Sequence, residues 1–152
     1  MSLSGLSGAP NADVMSEALP IKSLIYISRA APDLDADDLD MIHHSAVNLN
    51  ALDGITGLLV YNGTHFLQIV EGADAAVDDL LQRLFRDPRH ADLEIVDETM
   101  AAAASFPDWS MNLVKVSAGR FDAREDLQSH LPDSVTGAVR AKLTDALGTI
   151  CS

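Results

Sequence analysis

Leu58-Leu59-Val60-Tyr61-Asn62-Gly63-Thr64-His65-Phe66-Leu67-Gln68-Ile69-Val70 is two runs of aliphatic, aromatic and β-branched residues separated by Asn-Gly. Asn and Gly accept the positive φ that a tight turn between antiparallel strands requires, so this stretch predicts a β-hairpin. Apolar residues occupy both alternating faces of each run, which predicts a sheet covered on both sides. Asn62-Gly63-Thr64 also spells a glycosylation sequon, but the requirement for a turn explains it better.

Upstream, Ile21-Lys22-Ser23-Leu24-Ile25-Tyr26-Ile27-Ser28 reads as a central strand of the same kind. A helix of about Ala36 to Asn48 follows. Asp35 is its N-cap with Asp38 three residues on, Leu34 and Leu39 are placed as a hydrophobic staple, and Leu39, Ile42, Ala46 and Leu49 recur at helical spacing. Gly54 and Gly57 bracket Ile55-Thr56 before the hairpin. Downstream, a helix from Asp74 carries Val77, Leu80, Leu81 and Leu84 on one face and stops at Pro88. Leu93 to Met100 and Met111 to Val116 read as strands.

This order predicts an α+β, ferredoxin-like sandwich: a mixed five-stranded sheet with two helices on one face, plus C-terminal helices. The tail helices are expected over Ala123 to His130 and after Asp133 as cap, with a stripe of Val135, Val139, Leu143, Leu147 and Ile150 to bury. The expected organisation is a disordered leader over residues 1–20, one domain over 21–116 and a helical extension over 117–152. Too little chain follows Val116 to make an output domain, so a signal is expected to leave through a partner protein.

The 152 residues carry a formal charge of −13, from 23 carboxylates against 10 Lys and Arg. Such a surface repels a phosphate backbone, so no nucleic-acid partner is expected. Nothing approaches the apolar length of a membrane span, and the leader lacks the form of a signal peptide. Cys151 is the single cysteine, which excludes a disulfide framework and suits a reducing cytoplasm.

Standard catalytic signatures are missing, and no enzyme activity is expected. Adjacent His43 and His44 would point about 100° apart on a helix and cannot share a metal, while His65 and His90 lie on other elements. These read as ordinary surface histidines, with no metal site. More informative are Tyr26 and Gln68, polar groups placed mid-strand where the pattern asks for apolar ones. If their strands are neighbours and these faces coincide, phenol and amide come within hydrogen-bond reach. Spacing alone favours a satisfied tyrosine–glutamine pair in an ordinary core.

Five separated blocks go further. They are Leu24-Ile25-Tyr26-Ile27-Ser28; Asn50 ahead of Gly54-Ile55-Thr56-Gly57-Leu58-Leu59; Phe66 to Gly72; Asp87-Pro88-Arg89-His90; and Phe106-Pro107-Asp108-Trp109-Ser110-Met111. Over about residues 21 to 116 the chain resembles BLUF domains, blue-light sensors that use a flavin. The resemblance implies FAD, with FMN or riboflavin as alternatives, lying between the two helices. Tyr26 would donate an electron and a proton to the excited ring, and Gln68 would bridge tyrosine and flavin. Asn50 would bond the polar edge of the ring, Ile42 and Leu84 would sandwich it, and Phe66 would join them in the site. Arg83, Asp87 and His90 would meet the ribityl chain and phosphate.

Trp109 and Met111 fall on the family's relay strand, which would pass the signal to the tail. The position before Asn50, polar in many members, is Leu49 here, which puts one flavin contact in question. The rival reading is a ferredoxin-like module that binds another small ligand without photochemistry. The tail stripe is expected to cover the bare sheet face, with pairing to a second copy as the alternative.

Overall fold

A computed structural model describes residues 20–151 of the chain, without the side chains of Leu49, Arg120 and Phe121. The expectations for the leader and for the Leu49 side chain lie outside the described residues. The elements in order are β1 (Ile21–Ala30), α1 (Ala36–Asp53), β2 (Thr56–Tyr61), β3 (His65–Gly72), α2 (Asp74–Arg86), β4 (His90–Ala101), β5 (Ser110–Lys115), α3 (Arg120–His130) and α4 (Gly137–Ile150). Five strands form one mixed sheet in the order β4-β1-β3-β2-β5. Its pairs are antiparallel except β2 with β5, which is parallel. The fold is the α+β, ferredoxin-like arrangement that the pattern predicts.

Local chemistry sets the boundaries. Asp38 N donates to Asp35 Oδ1 (2.8 Å) and Asp35 N to Asp38 Oδ2 (3.2 Å), a reciprocal capping box at the start of α1. The helix runs five residues past the expected Asn48, because nothing breaks it before Gly54, which closes it at a φ of 71°. At the other end of the chain the cap is Thr136, whose hydroxyl accepts from Val139 N (3.3 Å), rather than Asp133. Residues between Pro132 and Thr136 turn instead, with Val135 N bonded to the Pro132 carbonyl (3.2 Å). Val135 therefore lies before the helix, although it is buried with the rest of the stripe.

The alternating faces of the sheet separate two cores. Leu24, Tyr26, Leu59, Phe66 and Val70 point towards α1 and α2. Ile25, Ile27, Leu58, Val60, Leu67 and Ile69 point the other way, against Leu127 of α3 and Leu143, Leu147 and Ile150 of α4. The tail thus covers the second face within the same chain, and Asn62 at the hairpin turn fastens it. The Asn62 side chain donates to the Ile150 carbonyl (2.9 Å) while its own oxygen accepts from Thr64 N (3.0 Å) and His65 N (2.7 Å). A buried amide used at both ends belongs to a turn and not to a glycan.

Gly57 makes the close approach of β2 to its two neighbours possible. Its φ is 154°, and a Cβ there would collide with the Ile69 carbonyl oxygen and press to 3.2 Å from Met111 Cε. At this point β5 bulges: Gly57 pairs with Ser110 and Leu58 with Asn112, so Met111 is the extra residue, at a φ of 94°. Gly57→Ala is expected to lose about 2 kcal/mol or more, because it adds a steric clash to an unfavourable φ. Leu143→Ala, at a fully buried position, is expected to lose about 2–5 kcal/mol. Denaturant unfolding midpoints measure both.

Candidate functional site

Tyr26 and Gln68 are direct partners across the antiparallel β1–β3 pair. Their side chains therefore stand side by side on the face towards the helices, where both are buried. Tyr26 Oη donates to Gln68 Oε1, and Gln68 Nε2 donates to Met111 Sδ (3.0 Å). Gln68 and Met111 sit on strands separated by β2, and the missing side chain at Gly57 leaves the lane through which they meet. Burial pushes the Tyr26 phenol far above its ordinary range, and the nearby Asp87 charge adds to this. The phenol is therefore a protonated donor at any physiological pH.

Above this pair, between α1 and α2, lies a cavity of about 530 Å³, a volume typical of small-molecule sites. Each of Tyr26, Ile42, Asn50, Phe66, Gln68, Arg83, Leu84, Asp87 and His90 lines it. Ile42 and Leu84 come from opposite helices, as the walls of a slot for a flat ring would. Asn50 has no exposed surface, and neither its amide oxygen nor its amide nitrogen has a partner. A buried amide left with both ends free costs about 1–3 kcal/mol. It is the complement expected for a ligand edge that presents both a donor and an acceptor, as the pyrimidine edge of a flavin does.

Polar groups ring the mouth. Arg83 pairs with Asp53 (3.3 Å), joining α2 to the end of α1. Asp87 accepts from the Arg89 guanidinium at Nε (2.9 and 3.1 Å) and Nη2 (2.7 Å). Burial works against the Asp87 charge, but the Arg89 bonds outweigh it and hold the carboxyl below its ordinary value. His90 uses both ring nitrogens within the protein: Nε2 donates to the Leu84 carbonyl (2.8 Å) and Nδ1 pairs with Ser28 Oγ (2.8 Å). What His90 offers the cavity is thus its ring, set edge-on to Phe66 with centroids 6.3 Å apart.

Sequence reasoning passed over Ser45, Leu59, Leu80, Arg86 and Arg89, which also line the cavity. Arg89 lay inside a quoted block, but nothing in its spacing separates a cavity arginine from a solvated one. The two relay candidates part company. Met111 faces Gln68, whereas Trp109 precedes β5 and packs with Phe106 (centroids 5.3 Å) against the core on the tail side. Glu71, also passed over, is buried on β3 and accepts from Ser105 N and Phe106 N (2.9 Å each), tying the loop before Trp109 to the sheet. Burial pushes its carboxyl up, opposed by those two bonds.

An α+β sandwich with an apolar slot between its two helices, a polar pair at its floor and an orphaned amide in its wall is the architecture of a small-ligand-binding domain. Residues 21–112 match the BLUF family, "Sensors of blue-light using FAD", and the chain belongs to that family of flavin-binding blue-light sensors. It is 31% identical over 118 residues to photoactivated adenylate cyclase subunit beta of Euglena gracilis, covering 76% of this chain and 14% of that protein. The chain thus spans about one seventh of the length of that curated relative. Among solved structures, BlrP1 BLUF is 29% identical with a TM-score of 0.73, covering 88% of this chain and 90% of that one. The dark-state structure of the BLUF protein BlrB is 31% identical with a TM-score of 0.66, covering 87% and 98%.

Among the described residues no group of three or more His, Cys, Asp or Glu is placed to hold a metal ion, and no helix is long and apolar enough to cross a membrane. His43 departs from the surface reading: it is half-buried and bonded to the backbone of β5.

The orphaned amide yields a prediction with opposite signs. Asn50→Leu is expected to stabilise the flavin-free protein by about 1–3 kcal/mol, because it removes two unsatisfied buried atoms. The same change should weaken flavin binding by about tenfold, the order expected for lost hydrogen bonds. Thermal melts and fluorescence titration, with and without flavin, check both halves.

Proposed function

We propose that Tyr26 is the electron and proton donor of this light sensor, that Gln68 is the group that rearranges, and that the signal is read by a partner protein. The buried hydrogen bond from Tyr26 Oη to Gln68 Oε1 at the cavity floor carries this reading. When bound, the flavin supplies the chromophore and, once excited by blue light, a strong oxidant. Tyr26 is held protonated by burial, so it can give up an electron only if its proton also leaves. Gln68 Oε1 is the acceptor in contact with that proton.

Two bonds fix the starting orientation of the Gln68 amide, one accepted from the phenol and one donated to Met111 Sδ. Rotating the amide by half a turn would face Oε1 with the Met111 sulfur and Nε2 with the phenol, losing both unless the phenol proton finds a new acceptor. Rotated or tautomerised, the amide offers a different edge to the cavity. That difference is what would change the ring's absorption.

Ile42 and Leu84 hold the ring by apolar contact, Asn50 bonds its polar edge, and Phe66 and His90 complete the wall. Arg83, Arg86 and Arg89 at the mouth support a phosphorylated flavin, FAD or FMN, over riboflavin. On this reading the chain senses and does not itself catalyse. The net charge of −13 supports a protein partner over nucleic acid. A lone buried Cys151 and no disulfide among the described residues support a cytoplasmic setting.

The purified protein is expected to be yellow, to shift its absorption to the red under blue light and to recover in the dark. Tyr26→Phe and Gln68→Leu should each retain flavin and lose the red shift. A normal photocycle in Gln68→Leu would rule out the amide as the switch.

A further inference from the structure

His43, on α1, points across to the bulge of β5, where its Nε2 lies 2.8 Å from the Met111 carbonyl oxygen. A carbonyl can only accept, so Nε2 carries the proton and donates. Met111 is therefore held at two points. Its backbone is tied to α1 through His43, and its sulfur accepts from Gln68 Nε2. Between those two bonds the residue sits at a φ of 94°, an unfavourable conformation for a side chain of this size, which persists only where neighbours impose it.

We propose that His43 is a positioning residue for the light switch: by holding the Met111 bulge it sets the orientation of Gln68, and it gives the rearrangement a path into α1 as well as along β5. The path is continuous, from Tyr26 to Gln68 to Met111 to His43. It ends on a helix whose neighbouring residues, Ile42 and Asn50, line the cavity and whose outer side exposes Met41 and Leu52. His43 does not line the cavity, so its influence must pass through Met111. Without its bond the bulge can relax, the sulfur no longer marks one orientation of the amide, and return to the starting orientation slows.

The inference rests on Gln68 being the group that rearranges, so the test needs one readout that depends on light and one that does not. His43→Leu keeps the bulk and removes the donor, whereas His43→Gln offers an amide N–H in nearly the same place. In the dark, with flavin bound, the Met111 methyl resonance is expected to move in His43→Leu and to return towards its original position in His43→Gln. After a blue-light pulse, dark recovery is expected to be about three- to tenfold slower in His43→Leu, the span one hydrogen bond commands, and close to the parent rate in His43→Gln. Flavin affinity should be unchanged in both.

In a Met111→Leu background, adding His43→Leu should slow recovery no further. Recovery at the parent rate or faster in His43→Leu, with an unmoved methyl resonance, overturns the proposal. A parent protein that does not shift under light would count against the proposed function instead, and the methyl resonance would still decide the role of His43. If His43→Leu fails to fold, His43→Gln beside His43→Ala decides it by the same two readouts.

Discussion

A sheet that is apolar on both faces must be covered on both, and the two covers of this one are not alike. The tail closes one face mainly by side-chain packing, with Leu127, Leu143, Leu147 and Ile150 laid on Ile25, Leu58, Leu67 and Ile69, and the Asn62 bond to the Ile150 carbonyl fastens it. The other face is covered by α1 and α2, which leave a slot between them. Polar groups can stand on that face because a ligand can meet them there. Tyr26 and Gln68 satisfy each other, and Asn50 waits for a partner. The asymmetry places a sensor's chemistry on one side of a sheet and packs the other side tightly.

The polar pair is connected to its surroundings at few points, which suits the rearrangement proposed for it. One hydrogen bond is worth only about 0.5–1.5 kcal/mol net, so an amide that reorients can bias its neighbours only where they are already near balance. The Met111 bulge touches the amide directly. It is an unfavourable backbone conformation held between a helix and the Gln68 amide, and it sits beside a glycine whose missing side chain leaves room for the contact. By contrast, Glu71 ties the neighbouring loop to β3 with two bonds to backbone N–H groups, anchoring the segment that leads into β5.

Three features were missed in the sequence, two of them because they are tertiary. His43 reads as a surface histidine because helical periodicity gives its angle about α1 but not which strand lies opposite that angle. Asp133 looks like a cap because it precedes an apolar stripe, yet Thr136 stands three residues before Val139 and takes its N–H. Arg86 and Arg89 were not singled out, since only the approach of α1 to α2 makes a mouth for them to line. The histidine and the arginines depend on the distance between elements far apart in the chain, which local pattern does not contain, whereas the cap was a choice between two local candidates.

What the sequence determined by itself is local chemistry and periodicity. Asn62-Gly63 sets the hairpin, Asp35 with Asp38 starts a helix, and alternation separates Tyr26 from its strand neighbours and Gln68 from its own. The five spaced blocks added the family and its flavin, because several short motifs at fixed separations rarely agree by chance. Only the tertiary structure decided which groups meet. It set phenol beside amide in direct register, sent Gln68 across to Met111 rather than towards Trp109, left Asn50 without a partner inside the slot and brought His43 to the β5 bulge. Such contacts rest on strand order, bulges and helix approach, and those are settled by how whole faces pack together rather than by any one stretch of residues.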